Sequence, residues 1–222
     1  MTPPFVLIDP ADLARVHRLH RGQFALPGLD WDQFQSLEDS TRLQASIRGI
    51  RSLFFRSGLS AAAERIDPDA GIPLPQQMNA LQQAILRDIS GYLADPSEDL
   101  ILQIFHQIQL WGGRAGRNIY VMESGFRKNF EVEAYAEFAR AASSLVDTVA
   151  ERIQTLVRSV GRIRHFGPSF ATKHGLFWAE AAVASPLAIY DSNIARGCFG
   201  RDTVQWSHYE GYLDSLRGGS SR

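Results

Sequence analysis

Apolar residues along this chain recur at three- and four-residue intervals, the period of a helix face, and seldom alternate as a half-buried strand requires. Pro10 followed by Ala11-Asp12-Leu13-Ala14-Arg15-Val16 predicts a first helix with proline at its start. Asp39-Ser40 can cap a second, in which Leu43, Ile47, Ile50 and Phe54 share one side. Asp67-Pro68-Asp69-Ala70-Gly71 and Pro73 read as a loop. Beyond it Met78, Leu81, Ile85, Ile89 and Tyr92 predict a helix that ends by Asp95-Pro96. Ser97 with Glu98 then opens a strongly apolar helix through Leu100, Ile101, Ile104, Phe105 and Ile108. From Glu131 two more helices run to about Val160, the second carrying Leu145, Val149, Ile153 and Leu156 as its stripe. Gly167-Pro168 breaks the backbone, and an alanine-rich helix is expected to start near Thr172. The short run Asn118–Met122 alternates, but fits a loop or helix edge. The expected class is all-α, one domain over residues 1–222 folded as two helical lobes. A cleft between the lobes is the natural place for a site.

Composition narrows this picture in a few respects. A chain of 222 residues, 45% of them hydrophobic, can build one good core or two small lobes. With a formal net charge of −1 no global basic field announces a polyanion, so contact with nucleic acid has to come from a local patch. The single cysteine, Cys198, excludes an internal disulfide framework. No charged-then-apolar start and no apolar run near 18 residues is present, so a soluble, cytoplasmic protein with no membrane partner is expected. His106, His165, His174 and His208 lack metal-ligand spacing, and no metal site is expected. Internal repeats are absent, and Gly-Gly-Ser-Ser at 218–221 reads as a frayed tail.

The stretch from Gly161 to Asp191 carries the candidate chemistry. Lys128 and Lys173 are the only lysines, every other strong base being an arginine. Arginine stays protonated and cannot act as an amine nucleophile, whereas lysine can. Placed in the first turn of a helix, Lys173 would meet a field that disfavours its cation and promotes the neutral amine. A solvated helix lysine is the alternative.

Gly167-Pro168-Ser169-Phe170-Ala171-Thr172-Lys173 resembles the hairpin of the helix-hairpin-helix DNA glycosylase superfamily, usually Leu-Pro-Gly-Val-Gly-x-Lys. Pro168 and Lys173 fall in register, while Ser169 and Ala171 replace the two glycines. Ile189-Tyr190-Asp191-Ser192-Asn193-Ile194 stands where the superfamily carries a valine-aspartate-threonine-histidine run, with Asp191 eighteen residues after Lys173. The chain is similar to the bacterial group of 8-oxoguanine DNA glycosylase-fold proteins, with the hairpin motif at about 159–184. The single cysteine removes the four-cysteine iron–sulfur cluster of many endonuclease III-like relatives, and no cofactor is expected.

The resemblance implies a DNA glycosylase with associated lyase activity, acting as a monomer on a duplex whose target base is flipped out. It makes Lys173 the nucleophile and Asp191 the carboxylate that steadies positive charge on the sugar. It assigns a DNA phosphate, with a monovalent cation, to the hairpin amides of Phe170, Ala171 and Thr172, beside Gly167 and Ser169. A Cβ at Ser169 and Ala171 limits that approach. Arg162 and Arg164, just before the hairpin, become phosphate contacts, or else a solvated face.

Trp111-Gly112-Gly113-Arg114-Ala115-Gly116-Arg117 is the other unusual stretch. Its glycines fit a helix stop, or a base pocket in which Arg114 and Arg117 pair with phosphate. Phe177, Trp178, Trp206, Tyr209 and Tyr212 could stack on an extruded base, or simply fill a core. Asp191, likewise, could be no more than a helix cap. Two further readings stay open: a non-catalytic DNA or modified-base binding module, and a glycosylase acting on deazaguanine-type bases or phage nucleic acid in a defence system.

Overall fold

Leu81, Ile85 and Ile89 are spaced to share one face, and they do: all three are buried along helix α1, Leu74–Ala94. The computed structural model describes residues 74–111, 132–163, 166–184, 187–191, 194–195 and 203–218, with Arg48, Arg51, Ser52, Glu64, Asp67 and Asp69 before them. The expected first helix and the Asn118–Met122 run lie outside the described residues. So do Gly112, Gly113, Arg114, Arg117, Arg164 and Cys198. Of the expected second helix, Arg48, Arg51 and Ser52 are described and are helical.

The proline after Asp95 cannot continue α1, and the chain turns at once into α2, Glu98–Trp111. Ser97 caps it, its hydroxyl accepting the Leu100 amide at 3.3 Å, while Glu98 and Asp99 favour the positive helix end. Ile101, Ile104, Phe105, Ile108 and Trp111 are all buried. Asp88 ties the two helices together by accepting from the Gln103 and Gln107 amides at 2.9 and 2.7 Å.

Helix α3, Val132–Ala142, buries Tyr135 and Phe138 among four alanines. Helix α4 spans Val149–Val160 and begins later than hydrophobic spacing predicts. Thr148 and Glu151 form a capping box: the Thr148 hydroxyl accepts the Glu151 amide at 3.2 Å, and the Thr148 amide donates to Glu151 at 2.8 Å. This local chemistry outweighs the apolar pattern, so Leu145 is 71% exposed in the preceding loop and is no part of the buried stripe. Ile153 and Leu156 are buried as expected. Buried Arg152 reaches back to α3 and donates to the carbonyls of Ala141, at 3.1 Å, and Ala142. A cation on carbonyls that have no intrahelical partner stabilises that helix end.

Helix α5, Pro168–Ala181, packs against α1, α2 and α3. Gly167 is its N-cap and Pro168 its first residue, so it starts one full turn before the position expected from the alanine run. Gly175 lets the following chain lie close, since a Cβ there would meet Leu187 at 3.2 Å. That chain, 187–191, is buried and lies outside helix and strand. Trp206–His208 form a 3-10 turn that leads into α6, Tyr209–Gly218. Tyr190, Tyr209 and Tyr212 pack as a ladder, with Tyr190 to Tyr212 centroids 5.2 Å apart. The described residues are thus all-α, with no strand among them, and no helix of theirs is long and apolar enough to cross a membrane.

Candidate active site

Thr172, Lys173 and His174 are three consecutive polar residues buried on one helix. Helical geometry turns each about 100° from the next, so the three side chains leave α5 in different directions. Each has its own partner.

Lys173 meets Asp191. Its Nζ lies 4.0 Å from Asp191 Oδ2, and both side chains are only 11% exposed. The separation exceeds a hydrogen bond, so the pair interacts through charge and not through a shared proton. Burial pushes the lysine amine below its ordinary value, and the Asp191 carboxylate pulls part of the way back. Because α5 starts at Pro168, Lys173 sits in its second turn. The field of a helix N-terminus fades within the first turn, so desolvation, not the helix end, favours the neutral amine here.

Asp191 has two tasks. Its Oδ1 accepts the Ile194 amide at 3.1 Å while its own carbonyl accepts from Ala195 at 2.9 Å, the arrangement of a helix cap. Its Oδ2 is the oxygen turned towards Lys173. The cap reading and the carboxylate-partner reading therefore describe different oxygens of one side chain.

Thr172 meets the residue before Asp191. Its Oγ1 accepts the Tyr190 amide at 3.0 Å and faces the Tyr190 carbonyl at 3.5 Å. The Tyr209 hydroxyl donates to Ala188 O at 2.7 Å, a second hold on the same segment. A buried segment outside helix and strand has no regular pairing for its backbone groups, and these hydroxyls satisfy some of them.

His174 meets Tyr135 on α3 and Gln109 on α2. Its Nδ1 lies 2.6 Å from the Tyr135 hydroxyl, and its Nε2 3.1 Å from the Gln109 amide. Trp178, one turn further along α5, donates its indole N–H to the same Tyr135 oxygen at 3.0 Å. Neither Tyr135 nor Gln109 stands out in the sequence as a site residue, and Trp178 does so only as a ring that could stack on a base. The available signal is a glutamine and two further polar residues, His106 and Gln107, inside the apolar run of α2.

The remaining candidates divide. Phe177 lies four residues after Lys173, hence on its side of α5, and packs edge-on against Trp111 with centroids 4.8 Å apart. Phe177, Trp111 and Tyr209 are buried, and Trp206 is half-buried against Tyr209. These rings pack against one another, as a core does. Arg162 is half in solvent and ion-paired with Glu137 at 2.7 Å. The early start of α5 also changes the hairpin amides: those of Phe170 and Ala171 donate to Gly167 O at 3.1 and 3.0 Å. Donors assigned to a phosphate are thus taken up by the helix itself, and Thr172 lies deeper in it. Ser169, at the second helical position, has no intrahelical acceptor for its amide. Among the described residues no group of three His, Cys, Asp or Glu side chains could hold a metal ion.

Residues 60–221 match the family model described as "Putative 8-oxoguanine DNA glycosylase OGG-like protein", a stretch that includes every site residue described above. No curated protein and no solved structure matches the chain.

Proposed function

The chain belongs to this OGG-like glycosylase family, and from that premise we propose that it removes a guanine-derived base from DNA and then cuts the strand, with Lys173 as nucleophile. The observation that carries the reading is the buried amine of Lys173 beside the Asp191 carboxylate at 4.0 Å. A buried lysine whose ammonium form is disfavoured costs stability and contributes nothing to packing that an aliphatic residue would not. Chemistry explains its presence better than binding does.

The base must first leave the duplex stack, because C1′ of its sugar is otherwise out of reach. Neutral Lys173 Nζ then attacks C1′ as the bond from C1′ to the base nitrogen breaks, and the base departs with that electron pair. Positive charge builds on the sugar in this step, and Asp191 stabilises it. The carboxylate also accepts the proton that the amine loses on bonding carbon, and can return it to the departing base. The C1′–O4′ bond then breaks as the nitrogen lone pair forms an imine between Nζ and C1′, and O4′ leaves with the bonding pair and takes up a proton from water. Loss of a C2′ proton then expels the 3′ phosphate and cuts the strand.

The test is borohydride trapping on duplexes carrying 8-oxoguanine, other modified guanines or an abasic site. Wild type is expected to yield a covalent protein–DNA band, and Lys173→Gln none. A band that persists in Lys173→Gln moves the nucleophile to Lys128 or the terminal amine.

A further inference from the structure

The Thr172–Tyr190 hydrogen bond lies one residue from each member of the Lys173–Asp191 pair. Thr172 directly precedes Lys173 and Tyr190 directly precedes Asp191; the Thr172 hydroxyl accepts the Tyr190 amide at 3.0 Å and reaches the Tyr190 carbonyl, which is in the peptide unit shared with Asp191, at 3.5 Å. Both Thr172 and Tyr190 are nearly excluded from solvent, at 2% and 0% exposure, so water does not compete for this bond. In a helix a threonine hydroxyl ordinarily turns back to a carbonyl three or four residues earlier. Here it serves the backbone of a different segment. Tyr190 is thus held at its backbone and by its ring, stacked on Tyr212 at 5.2 Å, and the next residue, Asp191, has its Oδ2 4.0 Å from Lys173 Nζ.

We propose that Thr172 is a positioning residue of the reaction, setting the distance between the Lys173 amine and the Asp191 carboxylate through its bond to Tyr190. The inference rests on Lys173 and Asp191 carrying the chemistry proposed above. Thr172 touches neither substrate nor reacting atoms and acts through Asp191. Its loss is therefore felt only while Asp191 has a charge to position.

A double-mutant cycle on full-length protein tests this. Single-turnover excision from an 8-oxoguanine duplex is measured for wild type, Thr172→Val, Asp191→Asn and the double variant, with circular dichroism confirming the fold of each. Misplacing a catalytic group by an ångström costs up to about a hundredfold, so Thr172→Val is expected to slow wild type about ten- to a hundredfold. In the Asp191→Asn background the same change is expected to cost less than about threefold, because coupled residues are not additive. Thr172→Ser, which keeps the hydroxyl, is expected to restore most of the rate. An unchanged rate in Thr172→Val, an equal loss in both backgrounds, or no restoration by serine overturns the inference. If Thr172→Val does not fold, Thr172→Cys, of similar size and with a weaker hydrogen bond, is scored by the same criteria. A wild type that excises nothing and traps no adduct on 8-oxoguanine or abasic duplex sinks the functional reading, and this inference with it. Activity in wild type with no effect at Thr172 sinks this inference alone.

Discussion

The Tyr135 hydroxyl stands 2.6 Å from His174 Nδ1 while accepting the Trp178 indole N–H at 3.0 Å, and this contact decides where the protons of the cluster lie. An oxygen that accepts from Trp178 has its own hydrogen to give, and His174 Nδ1 is the acceptor within reach. The imidazole then carries its proton on Nε2 and needs an acceptor there. Gln109 provides one when its amide is turned so that Oε1, rather than Nε2, faces the ring. That orientation also gives the buried Gln109 Oε1 a donor, which the opposite one does not. In this arrangement both ring nitrogens of His174 are paired, and the ring is neutral.

Acid should therefore destabilise this protein through His174. Burial, then the positive charge of Lys173, then His106 hold the His174 pKa well below its usual 6.5. Below about pH 6.5 the unfolded chain takes up a proton that the folded chain refuses. Stability from this group is thus fully present above that pH and falls as the pH drops towards the folded pKa, by at most about 1.4 kcal/mol per pH unit. His174→Asn should be less stable at pH 7.5 by about 1–3 kcal/mol, since it leaves buried partners unpaired, yet have a shallower slope between pH 6.5 and 5. Thermal melts of both proteins across that range check it. Parallel slopes would place the titrating group elsewhere.

Val183 predicts a stabilising change. The end of α5 closes with Ala184 N–H on Ala179 O at 2.9 Å and Val183 N–H on Glu180 O at 3.1 Å, a pattern that puts Val183 at φ 55°. A β-branched residue is strained in that region, which suits glycine. The Val183 side chain is 86% exposed and loses no packing on removal. Val183→Gly should gain about 1 kcal/mol, the relief of strain being partly offset by a more flexible unfolded chain. Ten residues past Lys173, or about 15 Å along a helix axis, it should leave excision unchanged. Denaturant unfolding measures the gain, and no gain would mean that the turn holds no strain.

Helical class and the two apolar helices α1 and α2 are legible in the sequence because period is a local property, whereas the Lys173–Asp191 pairing is legible only through the family resemblance. Helix starts are less so. Pro168 breaks a preceding helix and is equally the best first residue of the next, and the capping box Thr148-x-x-Glu151 is a quieter signal than the apolar series from Leu145. The His174 cluster was not legible at all. Its members lie 39 and 65 residues apart in sequence, and only tertiary packing brings a glutamine of α2 and a tyrosine of α3 to one imidazole.

The buried pair should be a net burden on stability. Removing one member of a buried pair leaves the other charge uncompensated, whereas replacing both by uncharged residues is often neutral or stabilising by about 1–4 kcal/mol. Lys173→Met with Asp191→Asn should accordingly be at least as stable as wild type and more stable than Lys173→Met alone, with no trapped adduct from either. Urea unfolding of the four proteins of this cycle gives the coupling directly. A double variant less stable than both single ones would show that the pair holds the fold together, and would weaken the case that it is kept for chemistry.

Asp191 should matter more for releasing an intact base than for cutting at a site already without one. Departure of a base builds positive charge on the sugar, and a carboxylate in a water-poor site stabilises that charge strongly. An abasic sugar opens to an aldehyde, which an amine attacks with no such charge on the ring. Asp191→Asn retains an oxygen for the Ile194 amide, which Oδ1 now accepts at 3.1 Å, and loses only the charge facing Lys173. It should lose only the stability that comes from the charge facing Lys173, while Asp191→Ala loses the cap as well and about a further 1 kcal/mol. Both variants should slow base excision by about a hundredfold or more, the range found when one group that stabilises transition-state charge is removed. Cleavage of a preformed abasic site should fall much less. Single-turnover excision and abasic cleavage, measured side by side with unfolding curves, separate the two oxygens' tasks. Small and equal losses in both reactions for Asp191→Asn would leave Asp191 a helix cap and remove it from the reaction.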